Sequence, residues 1–368
     1  MNISLKKIFN YATTFGIIYV ASTALAQHVK AADNEGQGAK PDAQMQAVLD
    51  ELAKLGPKPL GSVPAVEARK QPTPADAVTA LLKKQGKSTE PEAVGKVENK
   101  MIAGPGGQIP IRIYYPKGQG KGEQGKGEAA LPVILYIHGG GWVIADLDTY
   151  DASPRALVNA TNAIVVSSHY RQAPEHKFPA AHDDIHAAYE WVLAQAKELN
   201  GDPKKIALVG ESAGGNMAAA LSVMAREHKM QMPIYQVLIY PVADNNLNTP
   251  SYNENANAKP LNRAGMQWFF KNYFKTPADG DNHLISLVDE KDLKGLPPTT
   301  IITAEIDPLR SEGKAYADLL EKAGVNVRYK NFEGVTHEFF GMAAVIDKAK
   351  EAQKFAAEGL KEAFTAKK

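Results

Sequence analysis

Ser212 lies in Leu208-Val209-Gly210-Glu211-Ser212-Ala213-Gly214-Gly215, a Gly-x-Ser-x-Gly pattern between an apolar run and a helix-forming stretch. At a sharp strand-to-helix turn a serine is forced into a strained backbone. Its hydroxyl then stands clear, and the helix N-terminus favours negative charge beside it. Gly210 and Gly214 leave room for such a turn. The five residues alone would also suit a small-residue turn that lets helix and strand pack closely; the strand–turn–helix context argues for a nucleophile. His138-Gly139-Gly140-Gly141-Trp142 follows another apolar run. Successive glycines let backbone N–H groups face a cavity without side-chain obstruction. Acyl transfer builds negative charge on a carbonyl oxygen, and each preorganised donor is worth about 10² to 10³ in rate. Gly140 and Gly141 are the first candidates, with the Ala213 amide as a third donor.

A nucleophilic serine needs a base, and the base needs an orienting carboxylate. Asp307 follows an apolar run in Ala304-Glu305-Ile306-Asp307-Pro308, and His337 follows another in Gly334-Val335-Thr336-His337-Glu338. Glu305 is the rival acid, but strand alternation and the turn at Pro308 favour Asp307. His182 and His186 have a metal-like spacing on a predicted helix. They lack the glutamate beside the first histidine that a zinc protease uses, so a hydrogen-bonded helix face is the better reading. His138 is expected to brace the glycine loop, while His28, His169, His176, His228 and His283 show no partner pattern. Trp142, Trp268, Phe269, Phe270 and Phe339 could line acyl and alcohol pockets or equally pack the core. Neither a cofactor nor a metal is required by this chemistry.

The elements that must position these groups follow from apolar runs. Leu131–Ile137, 163–168, 205–209, 235–240, 299–303 and 325–329 are short and nearly continuous, as buried parallel strands are. Amphipathic stretches at 153–161, 180–199, 212–227, 311–323 and 343–363 lie between or after them, which predicts a doubly wound α/β sheet. Residues 109–115 alternate as a further strand. Helical spacing of Met45, Val48, Leu49, Leu52 and Leu55 predicts a helix, and 75–84 a second one. Residues 244–294 break the strand–helix rhythm and carry an aromatic cluster; together with the N-terminal helices they are expected to form a cap. Gly-rich, charged residues 117–128 read as an exposed connection.

Composition narrows the setting. The chain has 368 residues, 44% hydrophobic, and a formal charge of +1, which gives no electrostatic case for nucleic acid. Lys6 and Lys7, the apolar run 8–21 and Ala24-Leu25-Ala26 predict a signal peptide over 1–26, hence export to the periplasm or beyond. That run is too short and interrupted for stable membrane insertion. With no cysteine, neither a lipidated cysteine nor a disulfide is available.

These motifs, together with Tyr170-Arg171-Gln172-Ala173-Pro174-Glu175-His176, Phe178-Pro179-Ala180-Ala181 and Asp307-Pro308-Leu309-Arg310-Ser311-Glu312-Gly313, resemble the hormone-sensitive-lipase-like carboxylesterases, bacterial esterase family IV. The resemblance runs from about Asp42 to the C-terminal helix. It implies an α/β-hydrolase fold: a mostly parallel central sheet flanked by helices, with a helical cap. Residues 27–95 would contribute N-terminal helices to the cap, and 96–368 would form the hydrolase domain with the insertion at 244–294. It also implies the triad Ser212, Asp307 and His337 and the oxyanion donors Gly140, Gly141 and Ala213. The expected reaction is ester hydrolysis, and the aromatic residues, if they line the pockets, favour short- to medium-chain acyl esters. The sequence departs from the family pattern at Ser311 (usually Asp), Glu338 (usually Gly), Glu211 (often Asp), His169 (commonly Asp) and Gln172 (commonly Leu). Glu338 is expected to narrow the pocket or raise the pKa of His337. An amidase or peptidase on the same fold, or a non-catalytic small-molecule binder, are the alternatives. Oligomeric state is open, a homodimer included.

Overall fold

Alternating strand and helix signals from residue 96 onward build one eight-stranded sheet. The computed structural model describes residues 38–118 and 130–366. The signal-peptide expectation, and most of the Gly-rich connection, lie outside the described residues. Strands β1 (Lys96–Gly104), β2 (Gly107–Tyr115), β3 (Leu131–Ile137), β4 (Ile164–Ser168), β5 (Gly201–Glu211), β6 (Tyr235–Ile239), β7 (Thr299–Ile306) and β8 (Val327–Thr336) are ordered β1-β2-β4-β3-β5-β6-β7-β8. β1, β2 and β4 pair antiparallel; all other neighbours are parallel.

Side-chain alternation divides the core into two layers. On β3, Val133, Leu135 and Ile137 face one layer, and Ile134 and Tyr136 the other. The first layer is completed by α5 (Ala180–Gln195), α6 (Ala213–Glu227) and α9 (Arg310–Lys322). The second is completed by α4 (Ala152–Thr161) and α10 (Asp347–Thr365). Coverage on both faces explains the unbroken apolar runs.

Two parts lie outside this sandwich. Before the sheet come α1 (Ala43–Leu55), α2 (Ala65–Ala68) and α3 (Pro74–Lys84). Asp42 starts α1 by accepting from Met45 N, and Gly56, at φ 70, ends it. Between β6 and β7 the insertion holds α7 (Pro250–Glu254) and α8 (Arg263–Tyr273), capped by Asn262. Met266, Phe269, Phe270 and Tyr273 form the buried face of α8. Among the described residues, no helix is long and apolar enough to cross a membrane.

Two boundaries differ from expectation. β1 is absent from the apolar-run reading because it is an edge strand of which only Ile102 is buried. β8 extends to Thr336 rather than ending near 329, because it is the other edge. There Lys330 and Glu333 reach solvent without breaking the strand.

Candidate active site

Ser212 stands between β5 and α6 with φ 56 and ψ −121. A non-glycine residue held there is strained by about 1–3 kcal/mol and persists only where its surroundings fix it. Here Ser212 N donates to Ile239 O at 2.9 Å, and Ser212 O accepts from Asn216 N at 3.0 Å. The tightness of the turn demands its glycines. A Cβ on Gly210 would lie 2.1 Å from Gly214 O, and one on Gly214 would lie 2.1 Å from Ile137 O.

His337, just past β8, bridges to Ser212 and Asp307. Its Nδ1 is 2.7 Å from Asp307 Oδ2, and its Nε2 is 2.9 Å from Ser212 Oγ. A carboxylate only accepts, so Nδ1 carries the proton and Nε2 is left to accept from the serine hydroxyl. Asp307 Oδ1 accepts from Leu309 N at 2.9 Å, which fixes the carboxylate plane. The rival Glu305 accepts instead from Gly334 N at 2.7 Å. Burial pulls the His337 pKa down, but Asp307 beside it, helped by Glu338, wins and raises it overall.

The glycine loop is held from behind. His138 Nδ1 donates to Gly139 O at 2.8 Å, so its Nε2 accepts from His169 Nδ1 at 3.0 Å. Tyr170 stacks on His138 and donates to Gly139 O at 2.8 Å. Burial, and then His169, push the His138 pKa down to about 3, so it stays a neutral brace. Gln172 Nε2 donates to Ile144 O and Ala145 O, each at 2.8 Å. His169 and Gln172, two departures from the family pattern, therefore both serve this loop. Gly140 and Gly141 line the cavity with Ser212 and His337, and Ala213 opens α6, where the first N–H groups lack intrahelical acceptors.

That cavity has a volume of about 660 Å³. Its wall draws Leu49, Leu52, Leu60 and Pro72 from the N-terminal segment, and Leu261, Met266 and Phe269 from the insertion. Arg69 ties the N-terminal segment to loops of the hydrolase domain. It donates to Val143 O and Ala173 O and pairs with Glu175 at 2.6 Å. Of the aromatic residues expected to line the pocket, only Phe269 does.

The others are corrected. Trp142 is fully buried and stacks on Tyr273 at 4.6 Å, joining the glycine loop to the insertion instead of lining the cavity. Trp268 packs edge-on against Phe269, and Phe270 stacks on Phe274. Phe339 is buried behind His337 between Phe332 and Tyr240.

His182 and His186 turn to different partners. His182 Nε2 donates to Asn216 Oδ1 at 3.2 Å, and its Nδ1 accepts from Tyr273 OH at 2.8 Å. Burial lowers its pKa to about 4. His186 pairs with His228 at 3.1 Å. His169 and His228 thus have partners that sequence reading missed. Ser311 exchanges hydrogen bonds with Ser251.

Beside His337 lies an acidic pair, Glu211 and Glu338, and Glu338 raises the pKa of His337 as expected from the sequence. Glu211 is buried and accepts from Tyr136 at 2.6 Å and from Tyr240. Burial and the nearby Glu338 push its pKa up to about 7. Glu338 accepts from Tyr150 at 2.6 Å.

The sequence pattern of the alpha/beta hydrolase fold family matches residues 134–341. Carboxylesterase NlhH of Mycobacterium tuberculosis is 41% identical over 247 residues, 66% of this chain and 75% of that protein. Ethyl acetate hydrolase of Pseudomonas putida is 33% identical over 305 residues, 83% of this chain and 92% of that protein. Among solved structures, the hyperthermophilic esterase of the archaeon Pyrobaculum calidifontis superposes with a TM-score of 0.77 at 34% identity, over 89% of this chain and 100% of its own. Matching motifs, sheet order and relatives agree: the chain belongs to the alpha/beta hydrolase fold family, in its hormone-sensitive-lipase-like carboxylesterase group.

Proposed function

We propose that this protein is a carboxylic ester hydrolase that passes an acyl group through Ser212. The observation that carries the reading is the continuous chain Ser212 Oγ, His337 Nε2, His337 Nδ1 and Asp307 Oδ2, with links of 2.9 and 2.7 Å. Its named relatives are esterases, which supports the same reaction class.

His337 takes the hydroxyl proton as Ser212 Oγ attacks the ester carbonyl, and Asp307 stabilises the imidazolium that forms. The oxyanion is held by the amides of Gly140, Gly141 and Ala213. As the C–O bond breaks, His337 protonates the departing alcohol. Water, deprotonated by His337, then cleaves the acyl-enzyme and frees the acid. The cavity's size and its apolar wall of Leu49, Leu52, Leu261 and Phe269 favour short- to medium-chain acyl groups. The N-terminal segment and the 244–294 insertion serve as its cap, and the Lys6–Ala26 pattern supports export.

A fluorophosphonate probe tests the nucleophile. Native protein is expected to label and Ser212→Ala is not. An unlabelled native protein would overturn the enzyme reading. A series of nitrophenyl esters from acetate to palmitate, with an amide comparator, tests substrate class. Maximum turnover at palmitate, or a faster amide, would overturn it.

A further inference from the structure

Glu338 takes no part in the acyl-transfer scheme, yet it stands beside the base. It follows His337 directly and holds φ 72, a left-handed backbone that glycine adopts with less strain. Strain kept at a site asks for a function. Its carboxylate is anchored by Tyr150 OH at 2.6 Å, lines the cavity, and lies 3.6 Å from His337 Nε2. Asp307 occupies the opposite nitrogen at 2.7 Å. The imidazole is thus flanked by two carboxylates, one at each nitrogen, with Glu338 on the side that faces Ser212.

At 3.6 Å the Glu338 carboxylate is too far to share the Nε2 proton and acts by charge. An anion so placed favours the imidazolium, the form His337 passes through in both halves of the reaction. The same attraction holds the resting base protonated to higher pH, where it cannot deprotonate Ser212. The groups facing this pair are Asp307, Glu211, Tyr136, Tyr150, Tyr170 and Tyr240, all acids or phenols with no cation among them. Burial raises the pKa of Glu338 itself, while His337 and the Tyr150 hydrogen bond oppose that shift.

We infer that Glu338 is a positioning residue for His337: anchored by Tyr150, its carboxylate stabilises the imidazolium from the nitrogen that faces Ser212, and with Asp307 it fixes where activity fails on the acid side. This rests on the triad reading above.

The measurement is the pH profile of kcat/KM for a short nitrophenyl ester, whose acid limb reports the free enzyme's base. Glu338→Gln removes the charge at nearly constant shape, and Glu338→Gly suits the observed backbone, so it serves as the folding control. Both are expected to move the acid-limb midpoint down by roughly one pH unit. Tyr150→Phe is expected to move it the same way, since a released carboxyl protonates more readily. A limb that stays in place, or rises, in both Glu338 variants overturns the inference. Ser212→Ala separates the two readings. If that variant keeps its activity, the triad fails; if it is inactive and the limb is unmoved, only the role of Glu338 fails.

Discussion

His169 donates to His138 across 3.0 Å, one ring on the cavity wall and the other sealed behind the glycine loop. Two uncharged imidazoles in contact make this loop sensitive to acid, because a proton added to His138 Nε2, the acceptor, would replace the hydrogen bond with a repulsion.

Acid is therefore expected to unfold the protein through its histidines as well as its carboxylates. Folded His138 and His182 titrate at about 3 and about 4, against 6.5 for an ordinary histidine. Below pH 6.5 the unfolded chain binds more protons, so stability falls as pH drops from 6.5 toward those values. Each group contributes a slope of about 1.4 kcal/mol per pH unit. His182→Gln is expected to remove one such slope from urea-unfolding free energies measured between pH 6.5 and 4; an unchanged slope would refute it.

Asp307→Asn keeps the geometry but offers His337 Nδ1 an amide in place of an anion. A fall in kcat of about 10⁴ is expected, with KM little changed. Single-turnover release of nitrophenol measures it, and a loss below tenfold would point to another acid.

At Gly141, φ is 57 and an added Cβ would meet the Phe269 ring at 2.2 Å. Gly141→Ala should lower kcat by about 10² to 10³ through a displaced oxyanion donor. Adding Phe269→Ala removes the collision but not the backbone strain, so partial recovery is expected in the double variant.

Phe269 and Trp142 make a discriminating pair. Phe269→Ala should shift the chain-length optimum toward longer acyl esters, since it opens the cavity wall. Trp142→Phe should leave that optimum in place and cost roughly 0.5–3 kcal/mol of stability, read from thermal unfolding.

Gln172→Leu unpairs Ile144 O and Ala145 O. Each lost hydrogen bond is worth about 1 kcal/mol. The loosened loop should lower kcat by about 10- to 100-fold while the fold, followed by circular dichroism, persists.

The hydrogen-bonded grouping of Ser212, His337 and Asp307 and the strand ends that carry it were legible because their constraints are local. A glycine must stand where a Cβ would meet Gly214 O, and a covered parallel strand must be apolar on both faces. The pocket wall was legible only in part. Trp142 and Phe269 look alike in sequence, and which of them lines the cavity depends on the crossing of α8 over the glycine loop. Tyr150 gives no local sign that its hydroxyl meets Glu338, 188 residues away. The polar edge strand β1 escaped for the opposite reason: with one buried side chain it has almost no apolar pattern to read.

Arg69 also bears on how the molecule is assembled. Its acceptors Val143, Ala173 and Glu175 lie 74, 104 and 106 residues further along the chain. Closing loops of such span costs entropy that the finished contacts must repay. The N-terminal wall of the cavity therefore docks onto segments that lie far along the chain from it. Its docking marks the moment at which an acyl group can be enclosed.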